Sequence, residues 1–266
     1  MNIYVREIKR NFKAFVIWTS AFVLYDVLIF AMWPGMGDQA ASYAELFGAM
    51  PKELLAAFNI ESADFGDALG YFGTYGSVYF VLAGSIYATM LGAGILSKEE
   101  GEGTVEFLLA KPVTRTDVAL SKLGAAASLV AGFVAVFVGL SAALLAAYAP
   151  GSFAAKDMAM IGAGYALSFL VFMALGFLAS IYVVRAKSAL PLSMGIALGS
   201  FMLGVASRIA GGMEWLEWAS PMDWFNANRA LAAGGLRGDY SLAALCLIAA
   251  LPALAVFLYN KKDIKA

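Results

Sequence analysis

Six stretches of this chain are each apolar for long enough to cross a lipid bilayer, and that fixes the solvent in which it folds. They run over 12–33, 72–96, 123–148, 158–184, 189–208 and 242–260. An α-helix rises about 1.5 Å per residue, so roughly 20 apolar residues cover a hydrocarbon core about 30 Å thick. Backbone amides in lipid must be satisfied within the segment, and runs this long without alternation satisfy them as helices rather than barrel strands. The fifth stretch is interrupted by Pro191, Gly195, Gly199 and Gly204. Packed membrane helices tolerate such residues, so it counts as a span. Composition agrees: 62% of the residues are hydrophobic and 14% charged, against about 45–50% and about 25% in an ordinary soluble domain.

Lysine and arginine orient the spans. With the N-terminus inside, the inner segments carry thirteen of the 18 basic residues and the outer segments five, Lys52, Lys156, Arg208, Arg229 and Arg237. The positive-inside rule therefore predicts six crossings with both termini cytoplasmic. The first span ends in Ala31-Met32-Trp33-Pro34, without a small-residue cleavage site, and reads as an uncleaved anchor. Trp33, Trp215, Trp218 and Trp224 fall near the outer interface, where indole rings concentrate.

Three segments outside the spans have a pattern of their own. At the N-terminus, Ile3, Ile8 and Phe12 share a face opposite Arg6, Lys9, Arg10 and Lys13. This predicts either a basic amphipathic helix on the inner leaflet or a plain positive-inside anchor. The outer segment 34–71 fits two short interfacial helices, the second beginning at Pro51. Its six acids make that face either a solvated surface or a cation-attracting vestibule. The inner segment 97–122 is too charged to span and too apolar at Val105, Phe107, Leu108 and Leu109 to be a plain linker. Gly101 and Gly103 precede a short helix over 104–110, Pro112 ends it, and Thr114 or Thr116 caps the next span. An apolar ridge flanked by acids predicts a docking surface for a soluble partner.

The order of residues in that segment is Glu99-Glu100, Gly103-Thr104, Glu106-Phe107-Leu108-Leu109, Pro112-Val113-Thr114-Arg115, then Lys122. It resembles the inner loop of ABC-2 type transporter permeases, the membrane subunits of ATP-binding-cassette exporters. Leu46, Met50-Pro51 and Leu54-Leu55 in the first outer loop, and Ser220-Pro221 in the last, are similar to the same family. The spacer Gly101-Glu102 departs from the pattern. The resemblance implies an all-α integral membrane fold with six transmembrane helices, an N-terminal amphipathic interfacial helix and a short cytoplasmic coupling helix between spans 2 and 3. It implies one permease domain over residues 1–266, multi-pass in a prokaryotic plasma membrane. Glu99, Glu100, Gly103, Thr104, Glu106, Phe107, Leu108, Leu109, Pro112 and Arg115 would couple the permease to an ABC ATPase subunit, with ATP and Mg held on that partner. A second permease copy or homologous permease and membrane lipid would complete the surroundings.

Other chemistries lack residues here. The chain has no Gly-Lys dipeptide, so the phosphate-cradling Gly-Lys-Ser/Thr loop is absent and no cofactor is expected on this chain. Histidine is absent, and with it the commonest general base and metal ligand. A net charge of −1 provides no field for nucleic acid. Tyr25-Asp26 and Gly35-Met36-Gly37-Asp38 resemble the two motifs of intramembrane aspartyl proteases. Here they lie on one continuous stretch, about 18 Å apart if helical, and cannot form a dyad. Gly92-Ala93-Gly94 lies inside a span, where small residues serve close packing. Gly195 and Gly199 form a second packing face, internal or toward another permease. Asp26 is the one acid at membrane depth. It belongs to a transport path, bonds to a neighbouring helix, or snorkels outward. Permease of an ATP-driven exporter is the leading reading; a stand-alone secondary transporter or channel is the alternative.

Overall fold

The computed structural model describes residues 3–37, 40–51, 54–55, 67–101, 114–182, 188–210 and 212–262. Among these there are helices and turns and no strand. Six helices are long and apolar enough to cross a membrane. They are α1 (Ile3–Gly37), α3 (Ser77–Gly101), α4 (Arg115–Tyr148), α5 (Ala155–Ala179), α6 (Ala189–Ile209) and α8 (Gly238–Lys261), with the short α2 (Ala40–Gly48) and α7 (Ala227–Ala233) between them. All six expected spans are present, the fifth included. Pro191 falls in the first turn of α6, where its missing N–H would have had no helical partner.

The basic N-terminal stretch forms the first turns of α1 and is not set off as a separate helix. No glycine or proline interrupts residues 3–33. At 35 residues α1 is about 52 Å long, well beyond the ~30 Å apolar core. α4, with 34 residues, overshoots in the same way. The two run side by side in the same direction. Tyr4 donates to Ser128 Oγ at 2.8 Å, Phe22 packs on Phe133 and Phe137, and Asp26 meets Ser141.

α3 and α5 form the centre. A Cβ on Gly92 would strike the Met173 carbonyl and the Phe177 backbone, and one on Gly176 would strike the backbone of Thr89 and Ala93. The two helices therefore cross backbone on backbone, as small residues permit. Around that crossing Phe22, Phe80, Phe133, Phe137, Tyr165 and Phe169 form a buried aromatic cluster, with the Phe80 and Phe137 rings stacked at 3.5 Å. Gly195 and Gly199, in contrast, have open space at their Cβ positions. They border an uncharged cleft of about 410 Å³ between α5, α6, α8 and Trp218. Cys246 is exposed on α8.

α3 is preceded by a helical turn (Ala68–Tyr71) and a five-residue π-helix (Phe72–Gly76). The polar segment before α8 folds back over that end. Asn228 donates to Thr74 Oγ1 at 2.9 Å, Ser220 donates to the Ser200 carbonyl at 2.7 Å, and Arg208 pairs with Asp223. Ser220 of the Ser-Pro pair is fully buried there.

Candidate functional site

Four spans and the start of a fifth meet at one end of the bundle, and basic side chains tie them together. α4 begins there. Thr114 caps it: the Asp117 amide donates to Thr114 Oγ1 at 3.0 Å, and the Thr114 amide donates to Asp117 Oδ2 at 3.2 Å. This reciprocal box satisfies donors that a helix start otherwise leaves open, and it selects Thr114 over Thr116 as the cap. One residue on, Arg115 Nη1 donates to the carbonyls of Tyr259 at 3.2 Å and Lys262 at 2.8 Å. Tyr259 lies in the last turn of α8, where its carbonyl also accepts from the Lys262 amide at 3.4 Å, and Lys262 is the C-cap; a cation there meets the negative end of the helix dipole. Asn260 donates to Thr116 Oγ1 at 3.0 Å, and Lys262 Nζ reaches the Ile181 carbonyl just past α5 at 2.8 Å. The C-terminus of α8 is thus held to the start of α4 and the end of α5.

Two turns further along α4, Lys122 is 1% exposed. Its Nζ donates to the Ile95 carbonyl of α3 at 2.6 Å and lies 3.9 Å from Glu7 Oε2 of α1. Glu7 is itself 2% exposed and accepts at Oε1 from Asn11 Nδ2 at 3.1 Å. An unpaired charge at such depth would be costly, so each charge makes the other's burial possible. Glu7, Ile95, Arg115, Lys122, Ile181 and Lys262 therefore bring the start of α1, the end of α3, the start of α4 and the ends of α5 and α8 together within the first two turns of α4. Both ends of the described chain lie at this same end of the bundle.

The residues expected to couple the chain to a partner are placed as follows. Glu99 and Glu100 belong to the last turn of α3. Gly103, Thr104, Glu106, Phe107, Leu108, Leu109 and Pro112 lie outside the described residues. Arg115 is described, and its guanidinium is directed to the α8 carbonyls. The segment 102–113 thus leaves α3 six residues after Ile95 and enters α4 at the capped, clamped Thr114-Arg115. Glu7, Asn11 and Lys122 were not legible as a cluster. The available signal was an acid in an otherwise basic strip and a lysine inside an apolar helix.

At the opposite end Asp26 is fully buried in α1, with Ser141 Oγ of α4 at 2.8 Å from its Oδ2. It does not snorkel. Beside it, the Tyr25 hydroxyl donates to the Tyr75 carbonyl of the π-helix at 2.5 Å, and the Tyr71 hydroxyl donates to the Ile29 carbonyl at 3.2 Å. Among the described residues no group of three or more carboxylate or cysteine side chains is placed to hold a metal ion.

Comparison with known proteins gives a family model described as ABC-2 family transporter protein, matching residues 1–264. No curated protein matches the chain. Family members of this kind are membrane components that work with ATPase subunits and are not themselves catalytic. The match extends over nearly the whole sequence and agrees with six apolar spans, so the chain belongs to the ABC-2 transporter family and is a multi-pass permease component of an ABC transporter.

Proposed function

We propose that this permease is the membrane half of an ATP-driven exporter, and that a separate ATPase subunit docks on residues 97–122 at the cytoplasmic face. The observation that supports this most is the clamp on both sides of the 102–113 segment. A push on that segment reaches α3 through Gly101 and α4 through Thr114. Lys122 passes it to α1 by way of Glu7, and Arg115 passes it to α8 by way of the Tyr259 and Lys262 carbonyls. One docking event would then move four spans as a unit, which is the mechanical requirement for alternating access.

In this reading the basic end of the bundle is cytoplasmic, the orientation that the positive-inside rule favours. Phe107, Leu108 and Leu109 supply the apolar contact, and Glu99, Glu100 and Glu106 face basic groups on the ATPase. ATP and Mg are held by the partner. A second permease copy, or a homologous one, completes the translocation path in the cell membrane. The uncharged flanks of the spans suit an amphiphilic cargo.

The test is whether a neighbouring reading frame encodes an ATPase with a Gly-Lys-Ser/Thr loop and whether that ATPase co-purifies with this chain, followed by transport and ATPase assays in proteoliposomes. Glu106→Lys and Phe107→Asp are expected to dissociate the ATPase or abolish cargo-stimulated hydrolysis. An intact complex with normal transport in both variants would refute the docking assignment.

A further inference from the structure

Asp26 lies on the same face of α1 as Phe22 and Phe30, one turn from each. Phe22 packs on Phe137, and Phe30 packs on Phe72, which reaches Phe137 in turn. Asp26 therefore sits between two linked ring contacts along α1, and it has no exposed surface. Its Oδ2 is 2.8 Å from Ser141 Oγ, and Ser141 Oγ is also 2.8 Å from the Phe137 carbonyl oxygen. Oδ1 has no hydrogen-bond partner among the described residues.

Both 2.8 Å separations are ordinary O–H···O distances, yet the serine hydroxyl has a single hydrogen. If Asp26 is ionised, that hydrogen goes to Oδ2. The Phe137 contact then has none, and a carboxylate with one hydrogen bond stays buried among rings. If Asp26 is a carboxylic acid, its O–H donates to Ser141 Oγ, the serine donates to the Phe137 carbonyl, and both contacts carry a hydrogen. Oδ1 is then the neutral carbonyl oxygen of an acid, whose unpaired burial is far less costly than that of a charge.

The surrounding groups fit the second arrangement. From α1, the helical turn before the π-helix and the π-helix itself the titratable neighbours are Tyr25, Tyr71 and Tyr75, and the Tyr25 and Tyr71 hydroxyls are committed to the carbonyls of Tyr75 and Ile29. α3 presents Tyr79 against Tyr25, and α5 presents Tyr165 against Phe80. α4 contributes Ser141. No ion pair between described residues includes Asp26.

We propose that Asp26 is a proton-binding site of this permease, holding a proton in the present conformation as the donor at the head of a chain from Asp26 through Ser141 to the Phe137 carbonyl. The ligand is the proton itself. Its release to water leaves a carboxylate, which requires water to enter the seam between α1 and α4. The packed seam therefore retains the proton, and an opened seam gives it up at the end of the bundle distal to the basic clamp. This adds a proton-linked step to the conformational cycle and stands apart from the docking of the ATPase.

The test is infrared spectroscopy of the full-length permease in lipid nanodiscs at neutral pH. The wild-type-minus-Asp26→Asn difference is expected to show loss of a carboxylic-acid C=O band. Ser141→Ala, which removes the acceptor, is expected to move that band to higher frequency. Loss of carboxylate bands in place of the acid band, or an acid band unmoved by Ser141→Ala, overturns the proposal. If Asp26→Asn does not fold, the Ser141→Ala spectrum decides alone: a bound proton shows as a wild-type acid band replaced by one at higher frequency, and an ionised Asp26 shows as altered carboxylate bands with no acid band lost.

Discussion

Replacing Lys122 with methionine should destabilise the bundle far more than the loss of one side chain suggests, and a second substitution should undo most of the damage. Methionine keeps the length and apolar stem of the lysine but has no charge. The interactions lost include the 2.6 Å bond to the Ile95 carbonyl and the 3.9 Å ion pair with Glu7. A hydrogen bond from a charged donor contributes about 1.5–3 kcal/mol. Two unit charges at that separation attract by about 4 kcal/mol at an effective dielectric constant near 20, most of which offsets the cost of their own burial. After the substitution Glu7, 2% exposed, has the Asn11 amide and no cation. Breaking a buried pair in this way costs about 3–5 kcal/mol. Glu7→Gln in the same chain removes the stranded charge, so the double variant should recover most of that loss. The assay is thermal unfolding of the four proteins of the cycle in one detergent, read by size-exclusion fluorescence. A coupling energy below about 0.5 kcal/mol, within the range of independent sites, would refute the buried-pair account.

Four further substitutions probe other parts of the structure. Gly176→Val forces a side chain into the backbone of Thr89 and Ala93, and should cost at least 1–3 kcal/mol and lower the yield of folded protein. Gly139→Ala, where nothing lies nearby, should be neutral or stabilising by up to about 1 kcal/mol in the same assay. Arg115→Met removes both bonds to the end of α8 and should speed amide exchange in the last turn of that helix while leaving the middle of α8 protected. Asn228→Ala should cost about 1 kcal/mol through loss of its bond to Thr74, and equal stability to wild type would remove the docking role of α7.

The number and approximate bounds of the spans were legible because lipid requires length and apolarity, and both are local properties. Spacing narrowed the cap of α4 to Thr114 or Thr116, and the reciprocal box with Asp117 decides for Thr114. What was not legible is which surfaces meet. Gly195 and Gly199 have the spacing of a packing face, yet their Cβ positions open on a cleft with no described neighbour within 4 Å, whereas Gly92 and Gly176 make the central crossing. A small residue permits close approach without specifying a partner. The N-terminal stretch reads as a basic amphipathic segment, and that pattern hides Glu7 and Asn11, which are buried because Lys122 lies more than a hundred residues away. The polar segment before α8 reads as an outer loop, yet Ser220 and Asn228 are core residues there, since their hydrogen bonds close on Ser200 and Thr74. Of the expected coupling residues, only Arg115 acquires a described contact, and it is a contact with α8.

The central claim is that the segment between α3 and α4 faces the cytoplasm and is covered by an ATPase. Cys246 is the single cysteine, so Cys246→Ala supplies a thiol-free background into which Leu108→Cys can be introduced. Labelling with a membrane-impermeant maleimide should modify Leu108→Cys in inverted vesicles and not in intact cells, and co-expression of the ATPase should suppress it. Labelling from outside intact cells would overturn the topology, and labelling from inside that is unchanged by bound ATPase would overturn the coupling.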